Sequence, residues 1–217
     1  MSRRGFVSFL VTGLGLVALL GAAASPAGAT SVLCKKNVST CPAESVWPIG
    51  SEFSVATKSV YTVFEMQANR QRCGEASSSI VTEGTTGGDV YGTWRNLTFA
   101  KCEIDKLGYC AGAEARNLPW KVVFKAGATS SENRIVVSSS GKGNPTIRVS
   151  CNPGLALTCT YSASSLELSM PVSGEGSQVW VESLLALLEG SVWCGGQTVL
   201  RWLADYNSVS PQVYLTH

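Results

Sequence analysis

Paired carboxylates are the catalytic chemistry that this sequence could most readily supply. Hydrolysis of a glycosidic bond uses two carboxyl groups about 5–10 Å apart, one acting as an acid and the other as a base or nucleophile. Folding could bring together two of six acidic residues: Glu103, Asp105, Glu114, Glu167, Glu182 and Asp205. Because fifteen acidic residues give chance pairs in any fold, solvated surface charge is the simpler interpretation.

The groups needed for other common mechanisms are scarce. The one histidine is His217, the last residue, so neither a His-based triad nor a His-ligated metal site is expected. No Gly-x-Ser-x-Gly motif occurs, and a Ser–Lys dyad is left open only because serine and lysine are common. We therefore assign no catalytic residue, no metal and no cofactor from the sequence.

The tryptophans are the best candidates for binding a ligand. Five lie in strand-like segments or at their ends: Trp94, Trp120, Trp180, Trp193 and Trp202. Tryptophan is highly buried on average, so the first interpretation is that they fill a small core beside disulfides. The alternative is an exposed platform that stacks on sugar rings or on a protein partner. Trp94 and Trp180 suit it best, since Trp180 alternates with Val179 and Val181, and Trp94 is out of phase with Leu97.

The charge balance argues against some partners. Seventeen Lys and Arg residues oppose fifteen Asp and Glu residues, a formal net charge of +2. Arg3 and Arg4 lie in a segment that we expect to be removed, which leaves a neutral chain. A neutral chain has no overall attraction for nucleic acid or for an anionic membrane, so no nucleic-acid partner is expected.

Residues 1–29 are predicted to be an export signal. Arg3 and Arg4 precede an apolar run from Phe6 to Leu20, and Ala27-Gly28-Ala29 fits a cleavage site before Thr30. Sec and twin-arginine export both remain open. No positive stop-transfer cluster follows, so we expect a secreted or cell-envelope protein without a transmembrane segment in the mature chain.

The eight cysteines of an exported chain imply four disulfides. Short spacings predict three local links, of which two would clamp the tips of hairpins, and the two cysteines left over would join distant strands. The predicted pairs are Cys34–Cys41, Cys102–Cys110, Cys151–Cys159 and Cys73–Cys194. A thiolate metal site is disfavoured because no Cys-x2-Cys pair occurs.

The pattern of the remaining chain predicts an all-β fold. About ten short runs of alternating or β-branched residues are separated by Gly, Asn, Pro and Ser, and no long amphipathic helix is seen. Residues 177–189 are ambiguous because their leucines would also suit a helix face, and we interpret them as a long strand. We expect residues 30–217 to form one domain, an antiparallel β-sandwich or open barrel stapled by disulfides.

The order of these motifs resembles a family. An early Cys34 and Cys41-Pro42 precede Gly92-Thr93-Trp94, then Asn117-Leu118-Pro119-Trp120, a Cys159-Thr160-Tyr161, and a final run from Cys194 to Tyr214. This order is similar to that of uncharacterised exported, disulfide-rich, all-β proteins of high-GC Gram-positive bacteria. The resemblance covers most of residues 34–215. It implies location and fold only, since no activity or functional residue can be transferred from it.

Two functions remain as hypotheses. The first is a non-enzymatic exported β-sandwich that binds a glycan or protein partner at or near the cell envelope. The alternative is an extracellular glycan hydrolase that uses a carboxylate pair. A flat aromatic or apolar patch would favour binding, whereas a cleft with two close carboxylates, one of them desolvated, would favour hydrolysis.

Overall fold

A computed structural model describes residues 30–57, 61–66, 69–86, 88–104, 110–151, 157–173, 176–190, 194 and 199–216. The predicted export signal, residues 1–29, lies outside the described residues, as do Asp105, Trp193 and His217. Helix within these ranges is limited to two short 3-10 turns, Ala43–Ser45 and Ser130–Glu132. No helix in the described ranges is long and apolar enough to cross a membrane.

The described chain is built from β-strands, all of whose pairings are antiparallel. Seventeen are found in the described ranges: β1 Val32–Cys34, β2 Glu52–Ala56, β3 Thr62–Met66, β4 Asn69–Thr86, β5 Asp89–Ile104, β6 Cys110–Arg116, β7 Trp120–Lys125, β8 Arg134–Ser138, β9 Thr146–Cys151, β10 Leu157–Ser162, β11 Ser165–Ser169, β12 Val172–Ser173, β13 Gly176–Ser177, β14 Val179–Gly190, β15 Val199–Tyr206, β16 Ser208–Ser210 and β17 Tyr214–Thr216.

Three pairs of consecutive strands act as single bent strands. The first bent strand consists of β6 and β7, which both pair with β5. The second consists of β8, which pairs with β7, and β9, which pairs with β6. The third consists of β10 and β11, which both pair with β14. The β9–β10 and β8–β11 pairings join the second bent strand to the third. The bend between β6 and β7 contains a cis peptide bond at Leu118-Pro119.

The pairings close into a ring of eight strands that follow one another along the chain. The order is β3, β4, β5, β6 with β7, β8 with β9, β10 with β11, β14 and β15, and β15 returns to pair with β3. This is the topology of an up-and-down barrel. The prediction of an all-β, antiparallel, barrel-like fold is confirmed, but the barrel is closed by the pairing of β15 with β3 and is not open.

Large side chains fill the interior of the ring. Trp94 and Trp120 are fully buried and pack edge to face, with their ring centroids 5.8 Å apart. The ring centroids of Trp202 and Phe64 are 6.2 Å apart. An eight-stranded barrel is just wide enough for its own side chains to fill it, so this interior is a packed core. Tyr206 is also fully buried, and burial raises the pKa of its hydroxyl, which stays protonated.

The predicted disulfides are only partly correct. Cys34–Cys41 is present, but Cys73 pairs with Cys102 and Cys159 pairs with Cys194. The predicted pairs Cys73–Cys194, Cys102–Cys110 and Cys151–Cys159 are therefore wrong.

The physical reason for the error is the register of the barrel. Cys73 and Cys102 are direct register partners on β4 and β5, and the backbone of Cys110 lies opposite that of Cys151 on β6 and β9. Cys159 lies opposite Val149, so no link across the β9–β10 hairpin is set up. Short sequence spacing was a poor guide because register decides which residues lie opposite each other.

Candidate functional site

Trp94, one of the two predicted ligand-binding residues, is in the core. Its side chain has no exposed surface, so the prediction that it forms a surface platform is wrong. The cause is a register shift: Ile80 of β4 pairs with Trp94 of β5, whereas Ser79 pairs with Asn96, which leaves Arg95 as an extra residue. A bulge of this kind reverses the phase of a strand, so Trp94 and Leu97 both point inward.

Trp180, the other predicted ligand-binding residue, is exposed on the outside of the barrel. About half of its side chain is accessible (51%), while its neighbours Val179 and Val181 are buried. Its indole Nε1 donates a hydrogen bond to Gln178 Oε1 at 3.1 Å, so both residues lie on the same face of the chain. The interpretation of this segment as a long strand is therefore confirmed from Val179 onward. For Trp180 the alternative of an exposed side chain is the correct one, and the first interpretation as a core residue is wrong.

The outer face of β14 continues as an apolar row. Leu184 and Leu188 are 65% and 69% exposed, and Val199 of β15, opposite Ala186, is also exposed. Sequence reasoning missed these residues because the four leucines of this segment also fit a helix. Strict alternation from Trp180 onward would have placed Leu184 outside and Leu185 inside, as observed.

Charged residues form a chain across the same face. Arg201 of β15 donates hydrogen bonds to Glu182 of β14 and to Glu65 of β3, the latter at 3.3 Å. Glu65 also forms an ion pair with Arg70 of β4, whose Nε lies 3.4 Å from Glu65 Oε1. The hydrogen bond to Glu182 is the main reason that the pKa of the Arg201 guanidinium is raised. These groups are largely exposed, so they fix side-chain positions more than they stabilise the fold.

Asp205 lies directly opposite Trp180 in the register between β14 and β15. It is half-buried, and its Oδ1 atom is shielded from solvent without a hydrogen-bond partner in the described chain. This burial raises the pKa of the Asp205 carboxyl. On the other side of Trp180 lies the exposed Ser169 of β11. Trp180 is thus surrounded by groups that can form hydrogen bonds.

The structure gives most of the candidate carboxylates an arginine partner. Glu114 pairs with Arg116 at 2.6 Å, Glu167 pairs with Arg134 at 3.3 Å, and Glu182 is bound by Arg201. Glu103 lies opposite Arg72 on the neighbouring strand. Asp205 differs from these residues because burial, rather than an ion pair, dominates its surroundings.

Glu167, Glu182 and Asp205 lie on the neighbouring strands β11, β14 and β15, so the fold does bring these three acids onto one wall of the barrel. Asp105 lies outside the described residues. Within the described chain, no group of three or more His, Cys, Asp or Glu side chains could hold a metal ion.

Two surface depressions flank this face. The first, of about 330 Å³, lies on β5, β7 and β8. The second, of about 660 Å³, contains Leu188 at the end of the apolar row and two arginines, Arg116 and Arg148.

Comparison of the chain with family models, curated proteins and solved structures finds no match.

Proposed function

We propose that this protein is an exported, non-enzymatic glycan-binding protein of the cell envelope, and that Trp180 is the centre of its binding face. The observation that carries the proposal is an exposed indole on a rigid barrel strand, bordered by Gln178, Ser169 and Asp205. The apolar face of a sugar ring can stack on an indole while its hydroxyl groups bond to neighbouring amide, hydroxyl and carboxyl groups. Tryptophan suits this role because it has a large apolar face and a polar edge.

The carboxylates support binding over hydrolysis. A glycosidase needs one carboxyl group that holds a proton and a second that is free to attack or to activate water. Glu167 and Glu182 each form an ion pair with an arginine, which occupies one carboxylate oxygen of each residue. Asp205 has no such arginine partner in the described chain, and burial raises the pKa of its carboxyl. Hydrolysis through Asp205 and a neighbouring glutamate is the alternative function.

The disulfides support the proposed location. Three disulfides lie within the described chain: Cys34–Cys41, Cys73–Cys102 and Cys159–Cys194. Disulfides persist in oxidising compartments outside the cytoplasm, and they are rare within it. Together with the predicted signal at residues 1–29, they favour export to the envelope or the medium.

The test is a binding experiment with Trp180→Ala and with Tyr61→Ala as a matched control. Tyr61 is an exposed aromatic residue (57%) that is not among the residues proposed to contact the sugar. Purified mature protein is titrated with a panel of neutral and acidic oligosaccharides by calorimetry. We expect Trp180→Ala to weaken binding by about thirtyfold, the size of a typical aromatic anchor, and Tyr61→Ala to leave it unchanged. Equal binding by wild type and Trp180→Ala would contradict the proposal.

The same samples distinguish hydrolysis from binding. Each oligosaccharide is incubated with wild type, Asp205→Asn and Glu182→Gln, and new reducing ends are measured. We expect no release of reducing ends by wild type. Release that is abolished in Asp205→Asn would establish the alternative function, because an amide cannot supply the proton to the leaving group.

A further inference from the structure

A shallow depression lies on the outer face of the barrel, to one side of Trp180. Its volume is about 330 Å³, and it is lined by Asp89 and Tyr91 of β5, Lys121, Val123 and Lys125 of β7, and Val136 of β8. This volume is at the lower end of the range for small-ligand sites, about 300–1,000 Å³. The depression is therefore large enough for one part of a ligand.

The floor of the depression is apolar and defined by register. Tyr91 lies opposite Val123, which in turn lies opposite Val136, so the three side chains form one row across three strands. Tyr91 packs against the backbone of Gly84, where a Cβ atom would come within 2.7 Å of the tyrosine hydroxyl. Glycine at position 84 thus allows the tyrosine ring to lie against β4.

Two lysines stand at opposite ends of this floor. Lys121 and Lys125 alternate with Val123 on the outer face of β7, and both are exposed. Their Cα atoms are about 13 Å apart, from the rise of a strand. Neither forms an ion pair with a residue that the structure describes. The one acidic group of the lining, Asp89, accepts a hydrogen bond from Ser31 at 3.3 Å.

The depression and Trp180 belong to one continuous surface. Lys125 lies opposite Arg134, Arg134 opposite Ser169, and Ser169 opposite Trp180. Neighbouring strands are about 4.8 Å apart, so the backbones of Lys125 and Trp180 are separated by about 14 Å. Lys125, Arg134, Ser169 and Trp180 are all exposed, which leaves the row accessible along its length.

We propose that Trp180 and the lysine-flanked depression are two parts of one binding surface for a glycan that carries carboxylate groups, such as a uronic acid polymer. This inference rests on the proposed function. One sugar ring stacks on Trp180, the chain crosses Ser169, and a second ring lies on Tyr91 and Val123. The carboxylates of the glycan then reach Lys121 and Lys125. The separation of the two lysines favours an extended ligand with repeated charges over one compact anion.

The probes are an oligogalacturonate and a neutral cello-oligosaccharide of the same length. The variants are Lys121→Gln with Lys125→Gln, Trp180→Ala, and Lys142→Gln as a control in an exposed turn. We expect the lysine double variant to bind the acidic probe at least about tenfold more weakly, with the neutral probe unaffected. Trp180→Ala should weaken both probes. Wild-type binding of the acidic probe should fall with added salt.

Gly84→Ala provides an independent test of the floor. The added methyl group must displace the Tyr91 ring, so we expect weaker binding of the acidic probe without a change at Trp180. Thermal unfolding of the variant checks that the barrel is intact. Tyr91→Ala should have the same effect on binding if the ring itself is the contact, and wild-type affinity in Tyr91→Ala would contradict this part of the inference.

The outcomes separate this inference from the proposed function. If the lysine variant binds the acidic probe as wild type does while Trp180→Ala weakens both probes, the acidic subsite is wrong and the proposed function stands. If the lysines matter but Trp180 does not, the proposed function fails and the depression is a separate anion site. Displacement of the acidic probe by inorganic phosphate at equal charge concentration would overturn the inference, as would failure of wild type to bind that probe.

Discussion

Two tryptophans in this chain have opposite roles, and their environments explain the difference. Trp94 is enclosed by the barrel and packs edge to face on Trp120, whereas half of Trp180 faces solvent. Removal of a buried tryptophan deletes many contacts and leaves a cavity. Removal of an exposed one costs little stability because few contacts are lost.

Trp94→Ala should therefore unfold the protein far more readily than Trp180→Ala. We expect a loss of about 3–5 kcal/mol for Trp94→Ala and less than about 1 kcal/mol for Trp180→Ala. Urea denaturation followed by circular dichroism measures both values under the same conditions. A comparable loss in the two variants would show that Trp180 supports the core and is not free to bind a ligand.

Asp205→Asn should change how stability depends on pH. Burial raises the pKa of this carboxyl, so the folded state holds the proton more tightly than the unfolded chain does. The stability that this group contributes is present below its usual pKa of 3.8 and is lost as the pH rises through the raised folded value. The side-chain amide of the Asp205→Asn variant does not ionise, so the variant does not lose this stability as the pH rises.

The measurement for Asp205 is urea denaturation at pH 3 and at pH 7. The free energy of unfolding of Asp205→Asn minus that of wild type should be larger at pH 7 than at pH 3. Glu52→Gln, on the exposed side of β2, is the control for removal of a carboxyl group. A constant offset between Asp205→Asn and wild type at both pH values would disprove the burial effect.

At the scale of elements, alternation predicted strands well but could not detect where the phase changes. The pattern of β14 places Trp180 outside and Val181 inside, as the sequence indicates. In β5 the extra residue at Arg95 shifts the pattern, and nothing in a single sequence distinguishes such a bulge from regular alternation. For this reason Trp180 could be placed on the surface from sequence alone and Trp94 could not.

The disulfides show the same limit. Pairing depends on which strands are neighbours and in which register, and both are properties of the closed barrel. Only Cys34–Cys41, separated by seven positions, lies within one short segment where spacing alone suffices. Cys73 and Cys102 are 29 positions apart and still lie directly opposite each other, because β4 and β5 form a long hairpin.

Peptide mapping without reduction should find Cys34–Cys41, Cys73–Cys102 and Cys159–Cys194, together with Cys110–Cys151, whose backbones lie opposite each other. Replacing Cys159 and Cys194 with alanine should cost about 4 kcal/mol, and replacing Cys34 and Cys41 about 2 kcal/mol, because the longer loop restricts the unfolded chain more. A Cys110–Cys102 peptide would contradict the observed register. Equal losses for the two replacements would contradict the entropic explanation.

At the scale of the whole molecule, the first and last described strands hold each other in place. β1 pairs with β17, and the buried Asn133 joins β17 to the loop that follows β7. Its Nδ2 donates to Leu215 O at 2.8 Å, and its Oδ1 accepts from the Gly127 amide at 3.0 Å. One side chain thus fixes the C-terminal segment on the barrel.

Asn133→Ala should loosen this closure. The Leu215 carbonyl and the half-buried Gly127 amide each lose a hydrogen bond, which should cost about 3 kcal/mol. Relative to wild type, amide hydrogen exchange should then accelerate more in β1 and β17 than in β14. Asn144→Ala, at an exposed turn, is the control and should leave exchange unchanged. Equal protection of β1 and β17 in wild type and Asn133→Ala would show that strand pairing alone holds the termini.

The seam between β15 and β3 joins the last strand of the ring to the first. Each other neighbouring pair in the ring joins strands that follow one another, so hairpins can form in succession. At the seam, Arg201 contacts Glu65 although they are 136 positions apart. The loop-closure entropy of that contact must be overcome before the ring is complete, so we expect ring closure to be a late step of folding.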